Sequence, residues 1–222
     1  MTSRYPYLIA AVAAVSGLLF GFDTAVINGA LIFLREELDL TTKGIEIATS
    51  SLLVGCAVGA GLAGVLTDRF GRKRLLIVSA LLFALSAVGA AIPRALDEFV
   101  VARFVGGLAI GVASVLAPLY IAEISPRQIR GRLVSLNQMA IVTGILLAYF
   151  TSWSLSFLGA SSWRWMFGSA VVPSLGFFIA LLFVPESPRF LVETGIDAIS
   201  LNPDVVISTT LAIAELEAEL GT

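Results

Sequence analysis

Two residues stand where their charge is expensive. Asp23 and Arg103 each lie inside a long apolar run. A carboxylate in the hydrocarbon of a bilayer has to be paired, protonated or turned to water. Asp23 is about eight residues from the outer end of its run and Arg103 about five from the outer end of its own, so at about 1.5 Å per residue both sit roughly 8–12 Å below the same surface. Their depths match, and Arg103 is the candidate partner of Asp23. A carboxylate beside a guanidinium favours its charged form, and one left in apolar surroundings favours its protonated form. A site that alternates between those surroundings takes up and releases a proton. A static ion pair that fixes helix register fits the same spacing.

Asn137 and Gln138 sit in the inner part of another run. A carboxamide offers two donors and an acceptor, which suits the hydroxyls of a sugar or polyol. An interhelical hydrogen bond uses the same groups. Phe20 and Phe22 flank Asp23 within a turn. Such rings stack on the apolar face of a ligand ring, or simply face lipid or core. A third set lies at the ends of the runs: Asp68, Arg69, Arg72, Glu123, Arg130, Glu186 and Arg189. A single surface ion pair is worth about 0–1 kcal/mol, but a network of them biases a conformational equilibrium of a few kcal/mol. The same residues also read as a plain orientation signal.

The elements that must position these groups are membrane spans. The chain has 222 residues, 58% of them hydrophobic and 14% charged. Its apolar residues come in runs of about 20, the length needed to cross a core about 30 Å thick. Six such runs are expected, at 7–34, 47–66, 75–92, 99–122, 133–153 and 165–184. The first is too long for the apolar part of a signal peptide and is followed by further spans, so it reads as a retained helix. The expected fold is an all-α membrane protein, a six-transmembrane-helix bundle over 1–184 with a tail over 185–222. The link around Gly71 is so short that the helices on either side are expected to be neighbours. Cys56 is the single cysteine and there is no histidine. A disulfide framework and a His/Cys metal site are therefore not expected, and Cys56 reads as a small packing residue. The net charge of −2 suggests no surface for nucleic acid. No nucleophile–base pair is visible, so an enzyme is not expected.

Six spans put both termini on one side. Arg4, Arg69, Arg72, Lys73, Arg74, Arg127, Arg130, Arg132 and Arg189 fall on that side, against Arg35, Lys43, Arg94 and Arg164 on the other. Nine cations against four place the first side in the cytoplasm and predict a multi-pass protein of the cell membrane with both termini inside. Gly17/Gly21, Gly55/Gly59 and Gly107/Gly111 repeat at helical spacing. Such pairs let helix backbones approach closely in lipid, either as fixed packing or as sliding surfaces.

Five stretches of this sequence occur together in one known family. Residues 64–73 follow G-x-x-x-D-R-x-G-R-[RK] without a mismatch, and 21–27 read Gly-Phe-Asp-Thr-Ala-Val-Ile. Arg103-Phe104-Val105-Gly106-Gly107 is followed by Pro118-Leu119-Tyr120-Ile121-Ala122-Glu123-Ile124-Ser125-Pro126. Arg130-Gly131-Arg132 precedes Asn137-Gln138, and Pro185-Glu186-Ser187-Pro188-Arg189-Phe190-Leu191 follows the sixth run. In this order and at these intervals they resemble the sugar porter family of the major facilitator superfamily, over roughly residues 5–192. The resemblance implies transport of a monosaccharide or polyol by alternating access, facilitated or coupled to protons. It implies that Asp23 is the proton-coupling carboxylate with Arg103 as partner. Gln138 and Asn137 would contact the sugar, and Phe20 would pack against its ring. Asp68, Arg69, Arg72, Glu123, Arg130, Glu186 and Arg189 would form a cytoplasmic charge network. It implies no cofactor beyond the proton as coupling ion. Ile145 stands where some members carry a second glutamine, which loosens any assignment of the sugar.

The family has two six-helix halves around a central site, each built from two inverted three-helix repeats. This sequence holds one half, and its tail resembles the start of the linker between halves. Within the tail, 209–220 reads as an amphipathic helix with Ile213, Leu216 and Leu220 on one face and Glu215, Glu217 and Glu219 exposed. The expected partners are a sugar or polyol, the lipid bilayer, and a second six-helix half or a homodimer partner. A truncated, non-transporting fragment is the alternative. A membrane sugar sensor is a weaker one, because the tail is short for an output domain.

Overall fold

The computed structural model describes residues 5–187 and 189–190. Seven α-helices make six spans: α1 Tyr5–Glu37, α2 Thr42–Phe70, α3 Arg72–Ala91, α4 Leu96–Ile124, α5 Arg130–Leu155, α6 Ser162–Gly168 and α7 Val171–Leu182. A 3₁₀ turn, Ser156–Leu158, leads from α5 towards α6. All six spans are long and apolar enough to cross a membrane. The expected amphipathic helix at 209–220 lies outside the described residues.

The sixth span departs from the single run expected over 165–184. It breaks between α6 and α7, at Ser169 and Ala170. Pro173 is the cause: it has no N–H to give the Ser169 carbonyl, and its ring crowds that carbonyl. The chain tightens there, with Ala170 N–H donating to the Phe167 carbonyl at 3.1 Å and Val172 N–H to the Ser169 carbonyl at 3.3 Å.

Gly71 alone joins α2 to α3, at φ +88°. A Cβ there would be strained by the backbone and would meet Glu186 Oε2 at 2.8 Å and the Phe190 ring at 2.9 Å. Despite this short link, α2 and α3 touch each other little. Both lie along α4 instead. Glycines explain the choice. A Cβ on Gly55 would stand 2.4 Å from the Phe104 carbonyl oxygen, and one on Gly107 would stand 2.2 Å from that of Leu52. Gly59 and Gly111 repeat the arrangement one turn on, against the carbonyls of Leu108 and Cys56. In lipid, where burial of apolar area between helices gains little, this close backbone approach decides which helices pair.

The same seam is built a second time between α1 and α5. A Cβ on Gly21 would come within 2.0 Å of the Ile141 carbonyl oxygen, and one on Gly144 within 2.1 Å of that of Leu18. Exchanging the first three spans with the last three maps α2 on α4 onto α5 on α1, and α3 on α4 onto α6 on α1. The bundle is thus two three-helix repeats packed with exchange symmetry. Trp163, Phe99, Phe167, Phe177 and Tyr120 fill its core. Large apolar side chains such as Val65 and Leu146 are also exposed on the outside, as a hydrocarbon solvent allows.

Candidate functional site

Asp23 and Arg103 are the two charges within the six apolar runs, and the fold brings them together. Arg103 Nη1 donates to Asp23 Oδ1 at 2.5 Å and Nη2 to the Asp23 backbone carbonyl at 3.4 Å. The side chains are 1% and 8% exposed, so the pair is out of bulk water. The guanidinium also lies 5.2 Å from the ring centroid of Phe167. Asp23 Oδ2 and Arg103 Nε have no hydrogen-bond partner among the described residues. A buried ion pair with one spare acceptor and one spare donor is not fully satisfied. Its carboxylate has an oxygen on which a proton can arrive without displacing Nη1.

The two carboxamides separate. Gln138 is exposed and Asn137 is buried, as neighbouring residues about 100° apart on a helix do. Asn137 lies on the α1 seam, where a Cβ on Gly17 would meet its backbone oxygen at 2.6 Å and Oδ1 at 2.8 Å. Its Oδ1 is buried without a hydrogen-bond partner among the described residues. Phe20 is half-buried and packs against the core, while Phe22 is buried. Thr24 and Asn28 are exposed and continue the Phe20 face of α1 at four-residue spacing. Sequence reasoning passed over both, although that spacing was there to read.

One end of the bundle gathers part of the charged set. Arg72 Nη2 donates to Glu123 Oε1 at 3.1 Å, with both side chains nearly buried. Glu123 Oε2 accepts from the Ser187 hydroxyl. Glu186 Oε1 accepts from the Lys73 backbone N–H at 2.8 Å and so binds the start of α3. Tyr120 Oη donates to the Pro185 carbonyl at 2.6 Å, and Arg72 lies 5.7 Å from the Phe190 ring centroid. Arg189 is exposed at this end and has a partner of its own. Asp68, Arg69 and Arg130 are exposed on the surface. The Arg69 guanidinium lies 5.5 Å from the Phe70 ring centroid.

The opposite end holds a clamp that sequence reasoning missed. Arg164 Nη2 and Trp163 Nε1 donate to the two oxygens of Glu37, at 2.8 and 2.6 Å. Arg164 also donates to the backbone carbonyls of Ala91 and Pro93, at 3.2 and 3.0 Å. One guanidinium thus ties the end of α1, the turn after α3 and the start of α6.

Residues 9–199 match the family described as "Sugar (and other) transporter". The chain belongs to that family. It is 42% identical over 203 residues to the glucose transport protein of Synechocystis sp. (strain ATCC 27184 / PCC 6803 / Kazusa), covering 86% of this chain and 43% of that protein. It is 43% identical to the arabinose-proton symporter of Bacillus subtilis (strain 168), covering 85% and 42%. Among solved structures, the proton:xylose symporter XylE of the major facilitator superfamily superposes with a TM-score of 0.84 at 35% identity, covering 96% of this chain and 52% of that one. The fold is therefore one six-helix half of a major facilitator transporter, and the family is one of transporters rather than enzymes. The chain spans about half the length of the relatives it matches.

Proposed function

We propose that this chain is the N-terminal half of a proton-coupled sugar transporter working by alternating access. The observation that carries the proposal is the buried Asp23–Arg103 pair with its spare carboxylate oxygen. Asp23 takes up the proton, and Arg103 holds the carboxylate when it is charged. Gln138 and Phe20, with Thr24 and Asn28 beside Phe20 on the exposed face of α1, contact a monosaccharide or polyol. Asn137 supports that surface from the seam. Arg72, Glu123, Glu186 and Arg189, with Asp68, Arg69 and Arg130 around them, form the cytoplasmic network that holds one state of the cycle. Both termini face the cytoplasm of a cell-membrane protein, and 185–222 begins the connection to a second six-helix half, supplied by another segment or by a second copy.

The test is uptake of labelled glucose, xylose and arabinose into proteoliposomes, with and without an imposed proton gradient. Asp23→Asn is expected to abolish accumulation driven by the gradient while the bundle stays folded. Unchanged accumulation in that variant would remove Asp23 from the mechanism. Running the same assay on this chain alone separates a two-copy carrier, which would transport, from a half that needs a different second half.

A further inference from the structure

We propose that Phe167 is a positioning residue for the Arg103–Asp23 pair, holding the arginine in place when Asp23 becomes neutral. The inference rests on the proton-coupled reading above and extends it to a residue that carries no charge. Arg103 is 1% exposed, and Asp23 is the one carboxylate that reaches it among the described residues. The other elements packed around α4 offer little in exchange. Within their apolar runs α2 contributes the Cys56 thiol, and α3, α5 and α7 contribute no charged group. Once the Asp23 carboxylate takes a proton, a buried guanidinium is left with no negatively charged partner among the described residues, a state that a protein interior penalises heavily.

Phe167 changes that. Its ring centroid is 5.2 Å from Arg103 Cζ, within the range over which the negative face of an aromatic ring attracts a cation, and the attraction is strongest where water is excluded. The ring is itself held. Phe167 is 1% exposed. It meets Phe99 at 5.3 Å in an edge-to-face arrangement, and Phe99 meets Trp163 at 6.3 Å in the same way. Trp163 is anchored by its hydrogen bond to Glu37. A continuous chain of edge-to-face aromatic contacts thus runs from the Glu37–Trp163 hydrogen bond to Arg103. The ring is a partner whose attraction does not depend on the proton, so Arg103 keeps it in both protonation states of Asp23, beside the long 3.4 Å hydrogen bond from Nη2 to the Asp23 backbone carbonyl.

The experiment compares two modes of transport by the transporter that contains this chain, in proteoliposomes with glucose and xylose as probes. Accumulation driven by a proton gradient requires Asp23 to gain and lose its proton in each cycle. Exchange of labelled for unlabelled sugar at equal pH does not require net proton movement. A desolvated cation–π contact is enough to change an equilibrium roughly tenfold. Phe167→Leu, which keeps an apolar side chain but loses the ring, is expected to lower gradient-driven accumulation about tenfold on that basis and to leave exchange within about twofold of the parent. Phe167→Trp and Phe167→Tyr are expected to restore the ratio of the two modes, because each keeps a ring face. A role in packing alone would lower both modes together, whether or not a ring is restored, and would overturn the proposal. So would a Phe167→Leu protein with parental accumulation. If the parent shows no gradient-driven accumulation, or Asp23→Asn retains it, the proton-coupled reading itself fails and this inference falls with it. If Asp23→Asn uncouples and Phe167→Leu does not, only the role of Phe167 is lost.

Discussion

Trp163 donates its indole N–H to Glu37 at 2.6 Å, fastening the last residue of α1 to the first turn of α6. Trp163 is fully buried, and the same carboxylate also receives Arg164. Glu37→Ala leaves the indole donor without its acceptor. A buried donor left unsatisfied costs about 1–3 kcal/mol. Glu37→Gln keeps an acceptor for the indole and gives up only the ion pair, whose side chains are 28% exposed, so its cost is about 0–1 kcal/mol. Thermal melting in detergent is expected to rank the parent and Glu37→Gln close together, with Glu37→Ala clearly lower. Equal melting of the two variants would show that the indole bond contributes nothing.

The α2–α4 seam makes a sharper forecast, because its obstruction is backbone. Gly107→Ala places a methyl 2.2 Å from the Leu52 carbonyl oxygen and 2.9 Å from the Gly55 Cα. No rotamer relieves such a clash, so the helices must part. Gly61, on the same α2, meets nothing within 4 Å. There Gly61→Ala is expected to be neutral or to stabilise by up to about 1 kcal/mol through helix propensity. Unfolding in a denaturing detergent, followed by circular dichroism, checks both. Gly107→Ala should lose folded protein and Gly61→Ala should not. Tolerance of Gly107→Ala would mean that the seam is looser than its geometry.

What the sequence made legible follows from what a bilayer forbids. The spans could be placed because charge is absent from them. Asp23 and Arg103 could be paired across 80 residues because they are the exceptions and lie at matching depth. The glycine pairs were visible as spacing, but not their partners. Nothing in the link around Gly71 says that α2 prefers α4 to α3. The break at Ser169 was written in Pro173, four residues on, inside a run whose apolar character hid it. The clamp of Glu37, Trp163 and Arg164 was hidden for another reason. Glu37 and Arg164 lie 127 residues apart in ordinary-looking polar links, and only the packed bundle brings them together. Glu186 reads as an acid for a cation, and its carboxylate also accepts a backbone N–H, that of Lys73, which no residue type can announce.

Arg72 and Glu123 form a pair with little access to solvent, at 5% and 6% exposure of their side chains. Taking one charge from a buried pair costs about 3–5 kcal/mol, because the other is left uncompensated. Glu123→Ala also strips Ser187 of its acceptor. Glu123→Gln keeps the shape and an oxygen for one donor. Chemical unfolding should therefore show Glu123→Ala less stable than Glu123→Gln, and both less stable than the parent. A double-mutant cycle with Arg72→Gln should return a coupling well above the 0–1 kcal/mol (about what exposed pairs give). A coupling within that lower range would mean that the charges are screened despite their burial.

Asn137 and Gln138 offer a comparison between adjacent positions with opposite surroundings. Asn137 is buried against the Gly17 backbone, and Gln138 is exposed. Asn137→Ala removes volume from a helix seam and deletes a buried oxygen that has no hydrogen-bond partner there. Its effect is expected on the folded bundle as well as on transport. The loss of packing is partly offset by removal of the unsatisfied oxygen, so the change in stability should stay below about 2 kcal/mol. Gln138→Ala touches no seam. It is expected to leave melting unchanged and to weaken sugar binding by the worth of one or two neutral hydrogen bonds, roughly 0.5–1.5 kcal/mol each. That corresponds to about a 2- to 140-fold rise in KM for uptake. Melting curves and KM values for both variants decide the matter. A Gln138→Ala protein that binds sugar normally, beside an Asn137→Ala protein that melts normally and fails to bind, would reverse the two roles and place the sugar against the α1–α5 seam.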